Sequence, residues 1–184
     1  MGEMKDRMLR GELYMGADPE LAADNRRCEL LLARFNATSV TQAAERRAIL
    51  SELFGHFGRD TVIRPPLRCD YGIHTSVGDR TFANFGLVIL DCAPVSIGSD
   101  VQIATNVQLL AATHPLDPEV RRTGLESAQP ITISDGVWLG GGVIVCPGVT
   151  IGTGTVVGAG AVVTRDLPAG VLAVGNPARV VREL

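Results

Sequence analysis

His114 is the side chain in this sequence best suited to moving a proton. It sits in Thr113-His114-Pro115, near the start of a polar segment, AATHPLDPEVRRTGLESAQP, that runs from Ala111 to Pro130. A neutral imidazole accepts a proton near neutral pH. A hydroxyl attacking an acyl group needs such a base, because an unactivated alcohol is a poor nucleophile. On the residues alone two readings stand, a general base and a loop histidine without chemistry. The other two histidines are His56, in a helical region, and His74, in Tyr71-Gly72-Ile73-His74. A helix-end role suits the first, and a structural or surface role suits the second. Arg165, Arg179 and Arg182 are able to bind phosphate through their guanidinium forks, and equally are able to be solvated surface charges. Cys28, Cys69, Cys92 and Cys146 are far apart in sequence with no CxxC pair. They read as reduced, mostly buried small residues of a cytosolic protein rather than as a disulfide framework or a zinc site.

These residues must be held by two unlike regions. Residues 1–58 are rich in Glu, Arg, Ala and Leu, and apolar positions recur at helical spacing: Leu21, Leu30, Leu31 and Phe35, then Ile49, Leu50, Leu53, Phe54 and Phe57. Asp18 ahead of Pro19 predicts a helix start. Ser39 and Gln42 have capping-box spacing, and Gly55 and Gly58 close the second helical stretch. Two or three short helices are expected.

Residues 59–184 are different. Aliphatic residues recur every six positions at Ile133, Leu139, Val145, Ile151, Val157 and Val163, and a second set follows four residues behind each, Val137, Val143, Val149, Thr155, Ala161 and Leu167. The same period runs through Ile97, Ile103 and Leu109, and through Val77, Ala83 and Ile89. A single hexapeptide is also explained by strand alternation; six in one phase predict an all-β solenoid, a parallel β-helix with three hexapeptides to each 18-residue coil. The segment 111–130 breaks the phase and is predicted to leave the coil as an extended loop.

Composition agrees. Apolar residues are 46% of the 184, aromatics only 4%, and glycine numbers 21, which suits thin Val/Ile layers and many corners. The formal net charge of −3 gives no footprint for nucleic acid or an anionic membrane surface. No apolar run approaches the roughly 20 residues of a spanning helix.

Several motifs carry a resemblance that covers nearly the whole chain. Gly11-Glu12-Leu13-Tyr14, Cys69-Asp70-Tyr71-Gly72, Phe82-Ala83-Asn84-Phe85, Ala112-Thr113-His114-Pro115, Val137-Trp138-Leu139-Gly140-Gly141, Pro147-Gly148-Val149-Thr150-Ile151-Gly152 and Gly175-Asn176-Pro177-Ala178-Arg179 resemble the hexapeptide-repeat maltose and galactoside O-acetyltransferases, the maltose type most nearly. The resemblance implies a left-handed coil and transfer from acetyl-CoA to a sugar hydroxyl without a metal. His114 is then the base, with one ring nitrogen held by a backbone carbonyl. Asn84 touches both substrates, and Asp70, Asp91 and Glu126 bind the acceptor. Asp18 is a further acceptor candidate, although strict register places the galactoside enzymes' sugar-binding aspartate at Gly16. Gly141, Ala159, Thr164, Arg165, Arg179 and Arg182 are implied donor contacts. Trp138 lines either the cofactor groove or a subunit contact. A cytoplasmic homotrimer with active sites between subunits is implied. The remaining alternatives are an acetyltransferase for an antibiotic or other non-sugar alcohol, a γ-type carbonic anhydrase, for which His56 falls outside the coils, and a non-catalytic scaffold.

Overall fold

The computed structural model describes residues 2–184. Helix α1 spans Glu3–Leu9, α2 Pro19–Asn36, α3 Ala43–Leu53 and α4 Pro118–Arg122. Helix α2 starts where proline fixes the first turn, and Asp18 caps it by accepting from the N–H groups of Glu20 and Leu21 at 2.9 and 3.3 Å, a contact worth about 0.5–2 kcal/mol. At α3 only half of the expected capping box forms. Gln42 Oε1 accepts from the Ser39 N–H at 2.6 Å, and the helix begins after Gln42.

The β-helix has three faces. The first carries the strands His56–Phe57, Thr75–Val77, Val95–Ile97, Ile131–Ile133 and Thr150–Ile151; the second Val62–Ile63, Phe82–Ala83, Gln102–Ile103, Trp138–Leu139, Val156–Val157 and Val171–Val174; the third Leu67–Cys69, Leu87–Leu90, Gln108–Leu110, Ile144–Val145 and Val162–Val163. All of these pair in parallel, and Arg179–Glu183 closes the second face antiparallel to Val171–Val174. The coil thus begins at His56, within the last three residues of the region expected to be helical.

Every aliphatic position of the six-residue period points inward, from Ile133 to Val163, with exposure of 1% or less. The second set is buried too, including Thr155, whose hydroxyl donates to the Pro168 carbonyl at 2.6 Å. Glycine permits the tight corner between the first and second faces. A Cβ on Gly58 would lie 2.3 Å from the Gly78 backbone, and one on Gly78 2.5 Å from that of Gly98. Because the column is close-packed, Ile103→Ala should cost about 2–5 kcal/mol, read by denaturant unfolding.

Coil length departs from the 18-residue expectation. His56 pairs with Ser76 and Ser76 with Ser96, so the first two coils take 20 residues each. Val77 to Ala83 to Ile89 keeps the six-residue step; Cys69 to Val77 and Ile89 to Ile97 are eight apart. Both extra pairs of residues fall at the edge where the third face turns into the next first-face strand. The insertion after Leu110 leaves at the same edge. It is not a free loop: Ala112–Thr113 and Leu125–Ala128 form an antiparallel ladder, and Tyr14–Met15 adds a third strand to it. Pairing satisfies backbone groups that an extended loop would leave to water.

Helix α2 covers the open end of the third face. The Asn36 side chain accepts from the Leu67 N–H at 2.8 Å and donates to the Leu67 carbonyl at 2.9 Å. Asn25 donates to the Asp70 carbonyl at 2.9 Å. An edge strand that would otherwise pair with another chain is thereby blocked, and Asp70 is held in place.

Candidate active site

The long-corner edge holds a cavity of about 420 Å³. Its polar wall comes from three places. Asp70 and Tyr71 lie on the first enlarged corner, Cys92 on the second, and His114 and Glu126 on the antiparallel insertion; Gly16 and Asn25 close it from the N-terminal region. His114 is exposed at the end of the Ala112–Thr113 strand. Neither ring nitrogen has a hydrogen-bond partner among the described residues, so the carbonyl contact implied by the resemblance is not made among them.

Asp70 Oδ2 accepts from the Cys92 thiol at 3.3 Å. Burial holds the Asp70 carboxyl above its ordinary value of 3.8; the carboxylates of Asp91 and Glu126 push the same way, and the thiol contact opposes them. Ionising Asp70 therefore costs the fold free energy. That cost is absent below the ordinary pKa and complete above the raised one. Asp70→Asn should accordingly raise the thermal midpoint at pH 7, with the gain vanishing below about pH 4, while impairing the site. Burial also pushes the Cys92 thiol well up. It stays protonated, and a thiol in that form is no nucleophile.

Asp91 corrects an expectation. It is fully buried, with Oδ1 accepting from the Tyr71 N–H at 2.9 Å and Oδ2 from the Thr75 hydroxyl at 3.1 Å. Its backbone carbonyl meets His74 Nδ1 at 2.9 Å. Asp91 braces the corner that carries Tyr71, and its full burial keeps its oxygens from the cavity. Asp18 is occupied in capping α2 and does not line the cavity. Glu126 does line it.

The expected donor residues divide between two edges. Asn84 and Trp138 border a separate depression of about 180 Å³ on the second face, with Phe82, Gln102 and Ala104. In register, Asn84, Ala104, Gly140 and Gly158 succeed one another where the second face turns into the third. Gly141 and Ala159 continue that edge. Thr164 and Arg165 follow the strand Val162–Val163, so they fall on the His114 edge. Arg179 and Arg182 are exposed on the closing strand. Asn84 and His114 are thus not brought together within one chain.

Four contributors were not read as site residues. Asn25 acts through a contact made by a distant segment, Tyr14 appeared only within a motif, and Gly16 appeared only as the place where an aspartate was expected. Cys92 had one available signal, its place beside Asp91 in an eight-residue corner. Two of the cysteines, far apart in sequence, meet in space: the Cys28 and Cys69 Sγ atoms are 3.5 Å apart.

An N-terminal helical cap, a hexapeptide β-helix and a histidine cavity at an enlarged edge define the class of hexapeptide acetyltransferases, and comparison with known proteins agrees. Residues 7–58 match the maltose acetyltransferase hexapeptide capping motif, and residues 130–165 match the bacterial transferase hexapeptide (six repeats). Nodulation protein L of Rhizobium meliloti (strain 1021) is 49% identical, covering 96% of each chain. The crystal structure of a maltose O-acetyltransferase from Clostridium difficile 630 superposes with a TM-score of 0.97 at 42% identity, covering 98% of this chain and 97% of that one. A galactoside acetyltransferase in complex with coenzyme A gives 0.96 at 37% identity, covering 100% and 92%. The chain belongs to the maltose and galactoside O-acetyltransferase family of left-handed β-helix acetyltransferases. It is an acetyl-CoA-dependent O-acetyltransferase of that type.

Proposed function

We propose that the enzyme acetylates a sugar of the maltose or glucose type, at its primary 6-hydroxyl, in a cytoplasmic homotrimer whose active sites lie between subunits. One observation carries the acceptor assignment. His114 shares its cavity with Asp70 and Glu126, each of which leaves one carboxylate oxygen without a hydrogen-bond donor among the described residues. Carboxylate oxygens suit the several O–H donors of a sugar. The acceptor hydroxyl donates its proton to a His114 ring nitrogen as its oxygen bonds to the thioester carbonyl carbon. The C–S bond then breaks, and the proton passes from the imidazolium to the departing sulfur. The Gly141 N–H is the donor assigned to the developing oxyanion. Ala159 on the Asn84 edge and Thr164 and Arg165 on the His114 edge bind the pantetheine arm and phosphates, and Arg179 and Arg182 bind the nucleotide end.

Three features support the shared site. Asn84 and His114 lie on different edges. The outward positions of the first face are His56, Ser76, Ser96, Thr132 and Thr150, a surface suited to water. By contrast, the second face turns out Val62, Phe82, Trp138 and Val156 around a single Gln102, and the third Val88, Ile144 and Val162 with Arg68 and Gln108. Trp138 is 54% exposed and Val62 52%. An apolar surface of that extent is what a second copy would cover, and it flanks the edge bearing Asn84.

The test is thiol release from acetyl-CoA with a panel of glucose, maltose, galactosides and non-sugar alcohols. Sugars should be acetylated with far higher kcat/KM than the alcohols. Turnover confined to a non-sugar alcohol would overturn the acceptor reading.

A further inference from the structure

The inference rests on the acceptor site just proposed and concerns how one of its carboxylates is placed. Glu126 comes from the antiparallel insertion and pairs directly with Tyr14 of the N-terminal strand. Directly opposed residues project from the same side of a ladder, and here the Tyr14 O–H donates to Glu126 Oε2 at 3.1 Å. Tyr14 is fully buried. Burial pushes its phenol upward, so it remains protonated and remains a donor. The other oxygen, Oε1, lies against Gly16. A Cβ built on Gly16 would be 2.8 Å from Oε1 and 2.9 Å from Cδ.

Gly16 does not have a backbone conformation that demands glycine, since its φ is outside the left-handed region. The three heavy atoms nearest that Cβ, apart from its chain neighbours, all belong to the Glu126 carboxylate. The missing side chain therefore serves Glu126. We infer that Tyr14 and Gly16 are positioning residues that set the Glu126 carboxylate in the acceptor cavity, one by a hydrogen bond and the other by vacating the space the carboxylate fills. A corollary follows from the geometry. The same point in the cavity is reachable by a short acidic side chain from position 16, once Glu126 is removed.

Glu126 is the end of a flexible side chain, so a methyl at position 16 displaces it without disturbing the backbone. In steady-state kinetics with glucose and maltose, Gly16→Ala and Tyr14→Phe should each raise the acceptor KM by roughly tenfold, the scale of a lost hydrogen bond to a charged group. The acetyl-CoA KM should stay within about twofold, because an acceptor contact is not a donor contact. Glu126→Ala and Gly16→Asp alone should show the same acceptor defect. The double variant Gly16→Asp/Glu126→Ala should return most of the acceptor affinity, a non-additivity that marks a shared position. A double variant no better than the worse single one, or equal rises in both KM values, would overturn the inference. The crystal structure of Gly16→Ala separates this from the choice of acceptor. Glu126 must have moved from its place beside Tyr14, and an unmoved Glu126 ends the proposal whichever alcohol the enzyme acetylates. If the panel shows a non-sugar acceptor, the sugar reading fails and the same KM comparison is run with that alcohol.

Discussion

His114→Ala should lower kcat/KM for acetyl transfer by about 10²–10⁴, the range for a lost general base. The cavity offers no substitute base of comparable strength. Cys92 is kept protonated by burial, and Tyr14 and Tyr71 are raised in the same way. Asp70 and Glu126 are carboxylates, intrinsically weak bases at neutral pH. The fold should be unaffected, because His114 is exposed and holds no hydrogen bond among the described residues. Acetyl-CoA binding, measured by calorimetry on the variant, should persist, since the assigned donor contacts are made by other residues. The loss should thus fall on kcat rather than on donor affinity. Near-full activity in His114→Ala would remove the assigned role. Loss of acetyl-CoA binding together with activity would make His114 a binding residue instead.

The second large effect concerns how the site is assembled. On the proposed trimeric arrangement, the His114→Ala and Asn84→Ala variants should each be nearly inactive. Unfolded together in equal amounts and refolded, they should recover about one quarter of wild-type activity, because in a cyclic trimer with random mixing one interface in four pairs an intact His114 with an intact neighbouring Asn84. The geometry leads to this. Asn84 borders the second-face depression and His114 the cavity at the opposite end of the third face. A site enclosed within one chain would give no recovery above the separate variants, and a monomer by sedimentation would give none either.

The inward column of the β-helix was legible position by position. Each aliphatic residue in the six-residue phase points into the core because a strand and corner of fixed length return the chain to the same face, and this is a local rule. The eight-residue corners were present in the same pattern, as the interval between Ile89 and Ile97, yet the period alone suggests coils of one length. Which edge received the extra residues depends on which coil lies beside which. Asp91 was an acceptor residue only by resemblance, and its burial was not legible: the Tyr71 N–H and the Thr75 hydroxyl each donate to one of its oxygens. Those donors come from residues sixteen or more positions away.

By itself the sequence determined the solenoid, the helical cap, the inserted segment and His114 as the base to consider, since each follows from residue type and short-range spacing. Tertiary structure decided that Tyr14 and Gly16 meet Glu126, that Cys92 donates to Asp70, and that His114 and Asn84 face different surfaces. Those outcomes depend on contacts between segments up to 112 residues apart, and nothing in the local pattern of one segment records the space left for it by another.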